Sequence, residues 1–286
     1  MGDVDLMRGQ GRTLRVRVVG ADDGPPVVYL HGAPSSRLDV DVLHERSRDR
    51  GVRVAAFDRP GFGGSSRAPF TFASVADDVA AVLDHLGVDR APVVGQSAGA
   101  AYALAAGALR DDRVSAVATG GAGAPFSPDE PWWAQLSEPE RRGVLLIGSA
   151  DDEAERLLAE ADLPYVQALD EDDEGLLAFW HAHLAPADRR YCDGGFGPYL
   201  VRSVRESLRG GQAGWARDNL VRMGPWAFDP VTVSVPTTVW VGEQDYVPTS
   251  AWVHALVPRS VMHVLVDRGH FAVLEEWDSV LDDLGL

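Results

Sequence analysis

The sequence predicts an α/β protein: a mainly parallel central sheet flanked by helices, with a helical cap inserted between two of its strands. Short β-rich apolar runs alternate with segments of helical periodicity, as in sheets built from strand–helix–strand units. Most of those runs are apolar throughout, which suits strands covered on both faces. The alternation then lapses from about residue 125 to residue 229 and resumes afterwards, so the helical stretch is an insertion rather than a second sheet domain.

Taken in order, residues 13–19 ("TLRVRVV") alternate polar with apolar and suit an edge strand. Residues 26–32, 52–57, 91–95 and 114–119 are buried strands by their β-branched content. Between the second and third of these, Ser74 and Asp77 form a capping-box start for a helix whose Val75, Val79, Leu83 and Leu86 share one face. The insertion holds Trp132, Trp133, Trp180, Trp215 and Trp226, five of the eight tryptophans, and therefore has an apolar face of its own to bury. Strands return at 237–242 and 261–266, and "LEEWDSVLDDL" closes the chain as a helix.

Composition removes several functions. The formal net charge of −17 argues against nucleic acid and anionic membranes as partners. All 26 residues counted as Lys or Arg are arginine, so the chain has no lysine for a pyridoxal Schiff base or a P-loop. A single cysteine, Cys192, excludes an internal disulfide and a thiolate zinc cluster. No apolar stretch approaches the roughly 20 residues of a membrane-spanning helix. The first residues lack the basic and apolar regions of a signal peptide, so a cytoplasmic location is expected.

Against that background "GQSAG", Gly95 to Gly99, stands out, because it follows an apolar strand and opens an alanine-rich helix. A serine between two glycines at such a junction suits a nucleophile elbow, in which a strained turn projects the hydroxyl from the sheet. Gly95 and Gly99 would let neighbouring backbone pass where a Cβ would clash. The helix after it has Ala98, Ala101, Ala105 and Ala108 on one small-residue face, and its N-terminal end faces the serine.

A serine hydroxyl needs a base, and the base an orienting acid. Of the eight histidines, His44, His85 and His254 fall in helical patterns facing solvent, and His263 lies within a strand. His181 and His183 point to different helix faces and complete no metal site. His270 follows the last strand in a glycine-preceded loop, at the sheet edge where ligands bind in open α/β sheets. Asp245 occupies the equivalent place after the preceding strand, with Glu243 as a fallback nearer the strand. The backbone N–H groups of Ala98 and Ala33 are the expected oxyanion donors, each worth roughly 3 kcal/mol in the transition state. His31 orients the loop that carries Ala33, and Arg59 is expected in a structural salt bridge. Gln96 and Pro34 flank the site with no assignable role.

With "HGAP", "DRPGFGGS", "GQSAG", "GEQDYVP" and "RGHF" in this order, the chain resembles the α/β-hydrolase superfamily, in its capped, single-domain, esterase-like branch. The resemblance implies a core of residues 1–124 and 230–286, with the cap, 125–229, inserted between the sixth and seventh core strands. It also implies the absence of metal and of organic cofactor. Epoxide hydrolases and haloalkane dehalogenases use an aspartate at the elbow, where this chain has Ser97. "HGAPSS" departs from the "HGGPG" of proline iminopeptidases, and "SAGA" from the residues usual in carbon–carbon hydrolases. The expected function is therefore a serine hydrolase of a small ester or thioester, with Ser97, Asp245 and His270 as triad. Trp132, Trp133, Phe179 and Trp180 are expected to wall the substrate pocket. Carbon–carbon hydrolysis, aminopeptidase action, and a non-catalytic ligand-binding protein that keeps the triad are the alternatives.

Overall fold

The computed structural model describes residues 2–286. Eight strands form one sheet: β1 (Gly2–Met7), β2 (Thr13–Gly20), β3 (Pro26–Leu30), β4 (Arg53–Phe57), β5 (Ala91–Gln96), β6 (Val114–Gly120), β7 (Thr237–Gly242) and β8 (Ser260–Leu265). Their spatial order is β1-β2-β4-β3-β5-β6-β7-β8. The pairs β1/β2 and β2/β4 are antiparallel and all others parallel. Every residue of β3 and β5 is buried, in keeping with their continuous apolar runs.

Among the described residues, thirteen α-helices accompany the sheet: α1 (His44–Asp49), α2 (Phe72–Leu86), α3 (Ala98–Leu109), α4 (Glu138–Leu146), α5 (Asp151–Ala161), α6 (Leu163–Gln167), α7 (Asp173–His183), α8 (Arg189–Asp193), α9 (Gly197–Ser207), α10 (Ala213–Met223), α11 (Val247–Leu256), α12 (Ala272–Glu275) and α13 (Trp277–Asp283). One face of the sheet packs on α2, α3 and α11, through Val79, Leu83, Leu104 and Val253. The other packs on α12 and α13, where Trp277 is fully buried and donates from Nε1 to Ser47 Oγ at 2.9 Å. Helices α4 to α10 all fall between β6 and β7, and residues 121–236 contain no strand. They hold small apolar clusters of their own, such as Leu158, Leu220 and Met223.

Three local expectations are corrected. Residues 13–19 are not the edge, because β1 pairs outside them in the register Val4↔Val16. Its alternating Asp3 and Asp5 meet Arg17 at 3.0 Å and Arg15 at 2.9 Å across the strands, the kind of charged fringe that blunts an open sheet edge. Helix α2 begins three residues early, since Thr71 is its N-cap and exchanges bonds with Ser74 at 3.2 and 2.9 Å. Helix α3 is buried on every side from Ala98 to Gly107, so its small residues serve close packing all round rather than on one stripe.

Candidate active site

Strand β5 delivers Ser97 into a turn that a side chain rarely adopts, with φ 56° and ψ −122°. Such a conformation costs about 1–3 kcal/mol and persists only where its surroundings enforce it. Here Ser97 N donates to Gly120 O at 2.7 Å, and Ala100 N donates back to Ser97 O at 2.9 Å. The flanking glycines make room for that turn. A Cβ on Gly95 would lie 2.4 Å from Gly99 O, and one on Gly99 would lie 2.1 Å from Leu30 O. Ser97 Oγ makes no hydrogen bond to a described residue. Ala98 opens α3, so its N–H has no acceptor within that helix.

Asp245 and His270 leave the sheet at the same edge, after β7 and β8. His270 Nδ1 lies 2.9 Å from Asp245 Oδ1, with the Asp245 side chain 5 % exposed. Gly121, at φ 57°, faces the pair: a Cβ there would meet Asp245 Oδ2 at 2.7 Å and His270 Nδ1 at 2.9 Å. Tyr246 stands edge-on to the imidazole at 5.7 Å. Burial opposes charging His270, but the charge and hydrogen bond of Asp245, helped by the charge of Asp188, outweigh it and raise the pKa above the ordinary value. Glu243 is elsewhere, accepting from Asp267 N at 3.0 Å.

The loop after β3 carries Ala33, and a buried polar lattice holds it. His31 is inaccessible to solvent; its Nδ1 contacts Gly32 O at 2.6 Å and its Nε2 accepts from Arg59 N at 3.2 Å. Burial and the adjacent Arg59 charge press its pKa well below the usual range, so the ring is neutral. Arg59 Nη1 donates to His31 O at 2.6 Å, and its Nε to Asp218 Oδ1 of α10 at 2.7 Å. The salt bridge expected of Arg59 is therefore present, and it ties this loop to the helices between β6 and β7.

Two groups with no role in the sequence reading hold the histidine loop. Gln96 Nε2 donates to His270 O at 2.6 Å. Asp188, from the turn before α8, accepts from His270 N at 2.8 Å and Phe271 N at 3.3 Å. Gly269 admits that carboxylate, because a Cβ there would lie 2.1 Å from Asp188 Oδ2. The glycine before His270 was the one visible trace of this contact; nothing around residue 188 announced it.

Two chambers meet at Ser97. One, of about 90 Å³, is lined mainly by Phe196, Tyr199, Leu200, Phe271 and Leu274, with Asp39 on its wall. The other, of about 700 Å³, runs toward Glu140, Asp162, Asn219 and Arg222. Ala33, Pro34, Ser97, Trp180, Leu184 and His270 line both, and Ala98 and Asp245 line the larger. Of the four aromatics expected to wall the pocket, Trp180 is at the junction and the other three are corrected. Trp132 is buried with its Nε1 on Pro125 O at 3.0 Å, Trp133 packs on the Leu136 cluster, and Phe179 packs on His183 and Tyr165. Trp133 and Phe179 thus pack among the helices between β6 and β7, and Trp132 meets Trp252 of α11 edge-on at 6.4 Å. His44 is likewise half-buried rather than solvent-facing, accepting from Gly20 N at 3.0 Å.

The model of the α/β-hydrolase fold family matches residues 25–145. The solved structure of an esterase from Exiguobacterium antarcticum superposes with a TM-score of 0.71 at 20% identity, over 100% of this chain and 98% of that one. The chain has the α/β-hydrolase fold. Among curated relatives, epoxide hydrolase A of Mycobacterium tuberculosis is 36% identical over 40% of this chain and 36% of its own length. Haloalkane dehalogenase 2 of Mycobacterium bovis is 39% identical over 37% of this chain and 38% of its own. The chain thus spans about a third of the length of the curated relatives it matches, from 29% to 38%. No helix among the described residues is long and apolar enough to cross a membrane.

Proposed function

We propose that the chain is a serine hydrolase acting on a small ester or thioester through an acyl-enzyme. The observation that carries this reading is the Asp245–His270 pair, 2.9 Å apart, lining the same chamber as a serine held at positive φ. His270 Nε2 takes the proton of Ser97 as Oγ attacks the carbonyl carbon, and Asp245 keeps Nδ1 protonated and stabilises the imidazolium. The N–H groups of Ala33 and Ala98 meet the developing oxyanion. His270 then protonates the leaving alcohol or thiol, and a water activated by the same nitrogen releases the acid. The hydroxyl's want of a hydrogen bond fits a contact that tightens only around bound substrate.

The two chambers support a substrate with a short, mostly apolar group on one side of the scissile bond and a larger, partly polar one on the other. Residues 125–229 act as a cap over the core of residues 1–124 and 230–286, contributing Trp180 to the junction. The partner is a small molecule and the compartment the cytoplasm. The experiment is hydrolysis of p-nitrophenyl acetate and butyrate by the purified chain and by Ser97→Ala. Turnover that disappears in the variant supports the reading; equal rates, or no turnover beside intact binding of an ester, contradict it.

A further inference from the structure

The turn at residues 186–188 touches both loops that carry the acid and the base. Ala187 N donates to Gln244 Oε1 at 3.1 Å, next to Asp245 in sequence. One residue later, the Asp188 carboxylate, 1 % exposed, accepts from two consecutive backbone N–H groups of the histidine loop. It occupies the space that a side chain at Gly269 would need. A buried carboxylate is costly unless hydrogen-bonded, and here its donors are the amides that fix the backbone of His270.

We propose that Asp188 is a positioning residue for His270: it clamps the backbone of the histidine loop from the helical segment and places a second negative charge beside the imidazole. The inference rests on the hydrolase reading only in supposing that His270 works as a base. The groups facing His270 are Asp245 from the β7 loop, Asp188 from the turn before α8, the Tyr246 ring, and the Gln96 amide on its carbonyl. Those around Asp188 are His270, Asp245, Arg190 and Cys192. Burial raises the pKa of Asp188, opposed by its bonds from His270 N and Phe271 N and by the imidazole's charge. Its own charge in turn favours the imidazolium. A residue with a structural role alone would hold the loop and leave the titration of the ring where it was.

The test combines two readouts on wild type, Asp188→Asn and Asp188→Glu, each first checked for a cooperative thermal unfolding transition. The first is the rate at which ethoxy fluorophosphonate labels Ser97 as a function of pH; the second is the NMR titration of the His270 ring. Asp188→Asn removes the charge and turns one oxygen into a donor that faces an N–H. It should lower the labelling plateau by about tenfold or more. It should also move both the acid limb of labelling and the ring titration to lower pH. Asp188→Glu keeps the charge at a shifted place and should lower the plateau while leaving the titration near that of wild type. A folded Asp188→Asn chain whose ring titration stays at the wild-type position, or whose plateau is unchanged, overturns the proposal. Should Asp188→Asn not fold, Asp188→Glu decides: an unaltered plateau overturns it. Wild type that takes no label at Ser97 sinks the hydrolase reading instead, and the ring titration, which needs no nucleophile, still tests Asp188.

Discussion

Arg59 and Asp218 form an ion pair with neither side chain exposed, joining the loop that carries Ala33 to helix α10. The guanidinium also lies 4.9 Å from the Tyr102 ring and 5.1 Å from that of Phe62. Removing one partner of a buried pair leaves an uncompensated charge and costs about 3–5 kcal/mol. Arg59→Met and Asp218→Leu should each lose stability on that scale in urea unfolding. The double variant should lose clearly less than the sum, because neither of the two fully buried charges remains, and Arg222, the other partner of Asp218 at 3.4 Å, is a quarter exposed. Additive losses would show that the pair is not the unit holding this loop.

The raised pKa of His270 fixes the sign of the pH response. Only the neutral ring can take the proton of Ser97, so ester hydrolysis should fall as pH falls through a midpoint above the ordinary histidine value of about 6.5. Asp245→Asn removes the anion and can turn an amide N–H toward Nδ1, which favours the wrong tautomer of the ring. It should lower kcat by roughly 10⁴, as loss of the correct tautomer does in such triads, and shift the remaining acid limb downward. The check is a kcat/KM profile from pH 5 to 9 for both chains.

Asp162 gives a stability prediction of the opposite kind. It is buried beside Asn219, whose amide reaches its carboxylate at 3.0 Å. Burial raises its pKa to about 8, with the charge of Arg222 opposing. A raised acid favours the folded state while it is protonated. That contribution is complete below the unfolded value near 4 and is lost as pH rises toward about 8. Relative to wild type, Asp162→Asn should therefore flatten the dependence of Tm on pH and gain most at pH 8–9. A constant difference across pH would contradict the assignment.

Leu200 lines the small chamber and is itself buried. At about 90 Å³ that chamber suits a group of a few carbons, since an apolar cavity of roughly 150 Å³ takes a benzene. Rates over p-nitrophenyl acetate, butyrate, hexanoate and octanoate should peak at the short end. Leu200→Ala should move the peak toward hexanoate while costing about 2–5 kcal/mol of stability. An unchanged profile would place the variable chain in the larger chamber.

Much of this was legible from residue order, and the exceptions share a physical cause. The elbow showed itself because Gly95 and Gly99 are needed where backbone passes within a Cβ's reach, a demand written directly into residue type. His270 and Asp245 could be placed by topology, since both follow strands at one edge of the sheet. Strand β1 was missed because Asp3 and Asp5 make it look like a polar tail until Arg15 and Arg17 are seen beside it. Trp132, Trp133 and Phe179 were assigned to the pocket because helical cores and ligand walls draw on the same side chains. Asp188 is marked only indirectly, by Gly269: its partners are 82 and 83 positions away, and it comes from a helical segment with no strand register to predict the meeting.

The most direct measurement is incubation of the purified chain with ethoxy fluorophosphonate, followed by peptide mass spectrometry. A single adduct on Ser97 is expected, formed by the wild type and lost in His270→Ala. A folded wild-type chain that carries no adduct at Ser97, or a His270→Ala chain labelled as fast as wild type, would contradict it.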